Sequence, residues 1–200
     1  MKLLLHPGLT DPGLTDPGSA AGAVRQFDAT AGYAPDGALE FSWRLVADLS
    51  RLRIPPAATA TARADELWRH TCFEAFVADP HSTGYLELNF SPSGEWAAYG
   101  FRNYRGGMVP LPLRKDPEAN WRRIGDELAL AVRFRMDDLP GPPGPRPAVP
   151  LRVALSAVLE DVQGGVTHWA LHHPAGPPDF HHADAFALRV EPAVSGNAVP

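Results

Sequence analysis

Glu74, Glu87 and Asn89 interrupt segments that otherwise read as apolar strand, and so are the side chains most able to do chemistry. From Tyr85 to Phe90 the residues alternate strictly. Leu86, Leu88 and Phe90 fall on one face, and Tyr85, Glu87 and Asn89 on the other. Glu74 breaks the apolar run Phe73 to Val77. Carboxylate, amide and guanidinium groups can each hold two adjacent hydroxyls, and charged partners make the stronger bonds. Aromatic faces cover the C–H surface of a sugar-like ring. Glu74, Glu87, Asn89 and Arg102 supply the polar set, and Trp68, Trp96 and Trp169 are the candidate platforms. The competing reading is a solvated sheet face with core tryptophans, held by cross-strand pairs.

Other chemistries have weaker support. His172, His173, His181 and His182 form two pairs around a Pro/Gly loop, and imidazole suits zinc, copper or nickel. Adjacent strand residues face opposite ways, so one histidine of each pair is the most that could easily converge. Haem is a further candidate, with Met108 or Met136 and a histidine as axial ligands; no Cys-x-x-Cys-His motif is present to attach it covalently. Glu74 and Glu87 could form an acid/base pair for glycoside hydrolysis, which demands a separation that sequence spacing does not supply. Ser91-Pro92-Ser93-Gly94 is a turn and not a nucleophile elbow, and no phosphate-binding glycine loop is present. With no catalytic motif, the expectation is a binding protein, without a cofactor, rather than an enzyme.

The elements that position these residues are short strands. With 22 prolines and 18 glycines among 200 residues, the chain is punctuated too often for long helices. Ala23–Phe27, Ala38–Leu49, Thr71–Ala78, Tyr85–Ser91 and Trp96–Arg102 read as strands. Trp121–Ile124 and Glu127–Met136 read as a hairpin around Gly125-Asp126, and Leu151–Glu160, Val166–Leu171 and Ala185–Val190 complete the set. Asp36-Gly37 signals a turn between the first two strands. About ten short strands in one domain, without helical periodicity, predict an all-β fold: a two-sheet antiparallel β-sandwich. Pro-Gly-Leu-Thr-Asp at 7–11 is copied at 12–16, which reads as an expanded loop in a flexible N-terminal segment, 1–22. The ligand-binding domain is expected over 23–190, with a proline-rich connector at 139–150 and a frayed tail at 191–200.

Charge and composition narrow the function classes. The net charge of −5 arises from 18 basic and 23 acidic residues that are well mixed, so no basic stripe follows a phosphate backbone and nucleic acid is not an expected partner. The single Cys72 leaves no internal disulfide and reads as a small core residue within a strand. Met1 to Pro7 is too short an apolar start for a signal peptide, and no apolar run is long enough to span a membrane. The expected location is the cytoplasm.

The segments Trp68-Arg69-His70-Thr71-Cys72-Phe73-Glu74-Ala75-Phe76, Tyr85 to Gly94, Trp96-Ala97-Ala98-Tyr99 with Tyr104-Arg105, and His168 to Pro174 followed by Pro178-Asp179-Phe180-His181-His182 resemble the bacterial DOMON-like proteins, a group similar to family 9 carbohydrate-binding modules. The resemblance covers residues 23 to 190, and it is the combination of segments that is specific. It implies a β-sandwich that holds a small ligand in a groove, usually a sugar and in some relatives haem. The resulting expectation is non-catalytic binding of a small polar ligand, a carbohydrate or a derivative such as a sugar nucleotide. The alternatives are a haem or metal module using the histidines and Met108, or a protein-interaction domain docking through a sheet edge.

Overall fold

A computed structural model describes residues 2–8, 19–141 and 149–192. Among the described residues thirteen strands run in chain order: β1 (Leu3–Leu4), β2 (His6–Pro7), β3 (Val24–Tyr33), β4 (Leu39–Ala47), β5 (Cys72–Ala78), β6 (Tyr85–Phe90), β7 (Trp96–Phe101), β8 (Val109–Pro110), β9 (Glu118–Ile124), β10 (Glu127–Phe134), β11 (Leu151–Glu160), β12 (Val166–Ala170) and β13 (Leu188–Val190). One helical turn, Ala20–Ala23, precedes β3. The chain forms a two-sheet antiparallel β-sandwich: a five-stranded sheet ordered β1-β3-β4-β10-β9 faces an eight-stranded one ordered β2-β12-β11-β5-β6-β7-β8, with β13 also paired to β11.

Alternation builds the space between the sheets. In β4 every second residue from Leu39 to Ala47 is buried, so Phe41, Trp43 and Leu45 face the large sheet while Glu40, Ser42 and Arg44 face outward. Phe73 is the aromatic centre of this core, with ring centroids 5.5 Å from Phe27, 6.0 Å from Trp43 and 5.1 Å from Trp121. Leu88, Phe90 and Leu155 join it from the large sheet.

The large sheet is covered on both faces. From Cys72 to Val77 every residue of β5 is buried, which explains why that strand reads as nearly continuous apolar sequence. Its second face carries Cys72, Phe76, Tyr85, Tyr99 and Phe101, packed under Leu67, Phe180, Ala185 and Phe186 from irregular segments. Cys72 is fully buried there, and burial followed by the nearby Glu74 charge pushes its thiol well up from its ordinary range.

The start of the chain departs from the flexible segment expected over 1–22. Leu3–Leu4 pairs with β3 and His6–Pro7 with β12, so this short stretch edges both sheets, pinned by buried Leu5 between them. Both copies of the Pro-Gly-Leu-Thr-Asp repeat, beyond Pro7 and Gly8, fall outside the described residues, as do most of the proline-rich connector and the tail from 193. No helix among the described residues is long and apolar enough to cross a membrane.

Candidate functional site

Three neighbouring strands place one row of polar side chains on the second face of the large sheet. Glu74 on β5 stands opposite Asn89 on β6 and opposite Ser156 on β11. All three are buried, with relative exposures of 2%, 0% and 1%. Among the described residues, Glu74 Oε1, Asn89 Oδ1 and Ser156 Oγ have no hydrogen-bond partner. Buried polar atoms are rarely left this way, because each costs about 1–3 kcal/mol when unpaired. Three in one cross-strand row mark a place where the sheet is not self-sufficient.

Above this row lies a cavity of about 360 Å³. Glu74 and Glu87 contribute carboxyls; Trp68, Phe101 and Phe180 contribute aromatic surface; Arg105, His168 and His181 contribute nitrogen groups; and Val158, Met108 and Pro178 complete the lining. Asn89 donates from Nδ2 to Glu87 Oε1 at 2.7 Å, which orients the second carboxyl and leaves the amide oxygen over. Trp68 rests half-buried, edge-on to Tyr99 at 5.6 Å. It is carried by the short turn Leu67–Arg69, entered through Glu66 in a left-handed conformation (φ 62°). Arg105 is also left-handed (φ 50°). Non-glycine residues adopt this region at a cost, and here both flank the cavity wall.

The loop over the cavity is tied down by polar contacts. Arg105 Nη2 donates to Asp179 Oδ1 at 2.8 Å, and the Arg105 amide donates to Tyr85 Oη at 3.2 Å. Tyr85 Oη also lies 2.8 Å from His181 Nδ1. With its oxygen accepting from Arg105, the phenol is free to donate to Nδ1, which leaves the imidazole proton on Nε2, 3.8 Å from Glu87 Oε2. Burial, then the Arg105 charge, lowers His181 to about 4, so the ring is neutral at ordinary pH. Burial and then the charge of Glu87 push Glu74 well above the usual carboxylate range. Glu87 is raised by burial too, against the opposing effects of the Asn89 hydrogen bond and Arg105. Burial therefore favours the protonated form of both carboxyls on the cavity floor.

Of the residues singled out from sequence, Glu74, Glu87 and Trp68 line the cavity, and Asn89 braces Glu87 from beside it. Trp96 and Trp169 do not. Both occupy positions whose side chains enter the inter-sheet core, where Trp169 packs 5.9 Å from Phe27. Arg102 is exposed, its side chain lying along Gly107, and Arg105 at the same hairpin tip supplies the guanidinium. Gly107 (φ 65°) permits that packing, since a Cβ there would meet Arg102 Nε at 2.7 Å.

The four histidines disperse. His181 turns into the cavity, His182 caps the turn Ala183–Ala185, His173 bonds the carbonyl of His6, and His172 is exposed. Among the described residues no three His, Cys, Asp or Glu side chains gather as metal ligands. Met108 reaches the cavity rim, whereas Met136 packs against the inter-sheet core. Sequence reasoning did not single out Phe101, Phe180 or His168 as site residues. Phe101 shares the strand face of Tyr99, so the alternation of β7 carried that signal; Phe180 lies in an irregular segment with no period to read.

No protein-family model and no curated protein matches the chain. Solved structures do. A candidate carbohydrate-binding protein from Bacteroides uniformis ATCC 8492 superposes with a TM-score of 0.59 at 11% identity, covering 94% of this chain and 86% of that one. A family 9 carbohydrate-binding module from Caldicellulosiruptor kristjanssonii is similar with a TM-score of 0.48 in two complexes. The glucose complex is 11% identical and covers 88% of this chain and 81% of that one. The cellotriose complex is 12% identical and covers 88% and 79%. At these identities the likeness is one of fold.

Proposed function

We propose that the cavity over β5, β6 and β11 binds a small polar ligand, a carbohydrate or sugar derivative, without transforming it. The observation that carries this reading is the buried Glu74 carboxyl on the cavity floor, one oxygen unpartnered, beneath aromatic walls. A polyhydroxylated ring meets both requirements at once: hydroxyls for the floor and C–H faces for Trp68, Phe101 and Phe180. The volume sits at the small end of ligand pockets, which run from about 300 to 1,000 Å³, and suits one ring rather than an extended chain. Glu74 and Glu87 rise from the same floor on adjacent strands, a placement that grips one side of a ligand. The Bacteroides neighbour is described as a candidate carbohydrate-binding protein, which agrees with this reading.

A thermal-shift and calorimetric titration with glucose, N-acetylglucosamine, glucosamine and cellobiose tests it. A ligand bound only by the folded state at a hundred times its Kd stabilises by about 2.7 kcal/mol. At this chain length that is a rise in Tm of roughly 5–11 °C. The expected result is a saturable rise with at least one saccharide, lost in Phe101→Ala and Glu87→Ala. A cooperatively melting wild type that responds to none of them refutes the proposal.

A further inference from the structure

Glu74 brings an unpartnered carboxyl oxygen to the cavity, and its cross-strand neighbours Asn89 and Ser156, buried outside the lining, leave further acceptors unpartnered beside it. Asn89 Oδ1 can only accept a hydrogen bond, the deprotonated Glu74 carboxylate can only accept, and Ser156 Oγ accepts through its lone pairs. They stand on adjacent strands in one cross-strand row. We propose that the Glu74 carboxyl, at the centre of this row, receives a primary ammonium group carried on the bound ligand, so that the cavity selects an amino sugar over a neutral one. The inference rests on the sugar-binding reading and names its ligand class. An ammonium offers three donors and no acceptor, and charge-assisted bonds to a carboxylate are roughly twice as strong as neutral ones. The aromatic wall favours a cation as well, through the ring quadrupoles of Trp68, Phe101 and Phe180. Among the described lining residues, the Arg105 guanidinium is already held by Asp179.

The ligand proton balance follows from the groups around Glu74. Glu87 faces it from β6, Cys72 shares its strand face, His168 approaches from β12, and His181 and Arg105 close the cavity from above; β11 presents Ser156 and Val158. Burial and then the nearby Glu87 charge favour the protonated form of Glu74 in the empty cavity. An arriving ammonium takes the place of that proton, which leaves to solvent, and the carboxylate that remains holds the cation.

Calorimetry with glucosamine, glucose, N-acetylglucosamine and ethanolamine, in two buffers of different ionisation enthalpy, decides the matter. Wild type is expected to bind glucosamine about ten- to a hundredfold more tightly than glucose or N-acetylglucosamine, to release a proton on binding, and to bind more tightly as pH rises from 5 to 7. Glu74→Gln is expected to remove that advantage, so that the variant binds glucosamine no more tightly than it binds glucose. Proton release is read on wild type alone, so the test survives if the variant folds poorly. Neutral sugars binding as tightly as glucosamine, with no proton released, overturn the ammonium site and leave the sugar-binding reading standing. Ethanolamine matching glucosamine supports the ammonium site and refutes the sugar as its carrier. Binding of none of the four overturns both.

Discussion

Replacing Glu74 by glutamine should stabilise this protein, and the gain should grow with pH. The carboxyl is 2% exposed, has one oxygen unpartnered and faces the Glu87 charge, so the folded state prefers it protonated. In the unfolded chain the same group ionises near its ordinary value of 4.5. Because the folded value is raised, the contribution of this group is fully present below the unfolded value and is lost as pH climbs toward the folded one. Each pH unit above 4.5 costs the wild type about 1.4 kcal/mol for as long as the folded carboxyl stays protonated. Glutamine resembles the protonated acid in shape and in having a donor, yet gains nothing on unfolding. While the folded carboxyl stays protonated the variant should therefore gain up to about 1.4 kcal/mol for each pH unit above 4.5, roughly 3–6 °C in Tm per unit at this chain length. The lead should widen at higher pH until the wild-type carboxyl ionises in place, and vanish by pH 3.5. Thermal melts of both proteins at half-unit intervals from pH 3.5 to 8 give the two curves. Parallel curves, or a variant less stable throughout, refute a protonated Glu74.

His181 should act with the opposite sign. Its folded value of about 4 against an ordinary value of 6.5 means that the unfolded chain binds the extra proton between those limits, so this group alone removes about 3 kcal/mol as pH falls from 6.5 to 4. His181→Phe keeps ring contacts with Phe76 and Phe101 and should flatten that acid limb in pH-dependent denaturant melts; an unchanged slope refutes a neutral ring. Phe73→Ala removes the aromatic centre of the sandwich and should cost about 3–5 kcal/mol, read as a Tm drop of roughly 6–20 °C; a drop below a few degrees refutes Phe73 as the hub of the core. Cys72 should resist a thiol reagent in the native state and react only at the rate of unfolding, since it is fully buried and its thiol is raised; stoichiometric labelling of folded protein contradicts both facts.

The strands were legible because their signal is local. Period-two alternation in β4 and β6 assigned each side chain to a face before any fold was known, and the faces are the ones observed: Leu88 and Phe90 inward to the core, Glu87 and Asn89 outward. Leu151–Glu160 matched β11 residue for residue. The edge pairings of Leu3–Leu4 and His6–Pro7 were not legible, since two-residue strands have no period and owe their structure to partners far along the chain.

Alternation also decides which site residues a sequence can reveal. It says that a residue leaves one face of a strand, but not whether the other face meets solvent or a second covering layer. Trp96 and Trp169 are large aromatics beside polar neighbours, and only the register of β7 and β12 sends them between the sheets. Glu74 could be recognised because it stands where an apolar residue should. The cover was harder to read for the opposite reason: Arg105, Phe180 and His181 sit in irregular segments with no period, and the sequence offered His181 only as a metal-ligand candidate. They converge on β5 and β6 through contacts such as Arg105 with Asp179 and Tyr85 with His181, spanning 74 and 96 residues. A floor of misplaced polar residues is thus written in the strands, while the closing of that floor into a cavity is written in tertiary contacts alone. That division locates specificity as well. On the proposed reading Glu74 would set which polar group a ligand must bring and the loops how large a ring can accompany it, so loop substitutions should alter ligand size preference without altering the demand made by Glu74.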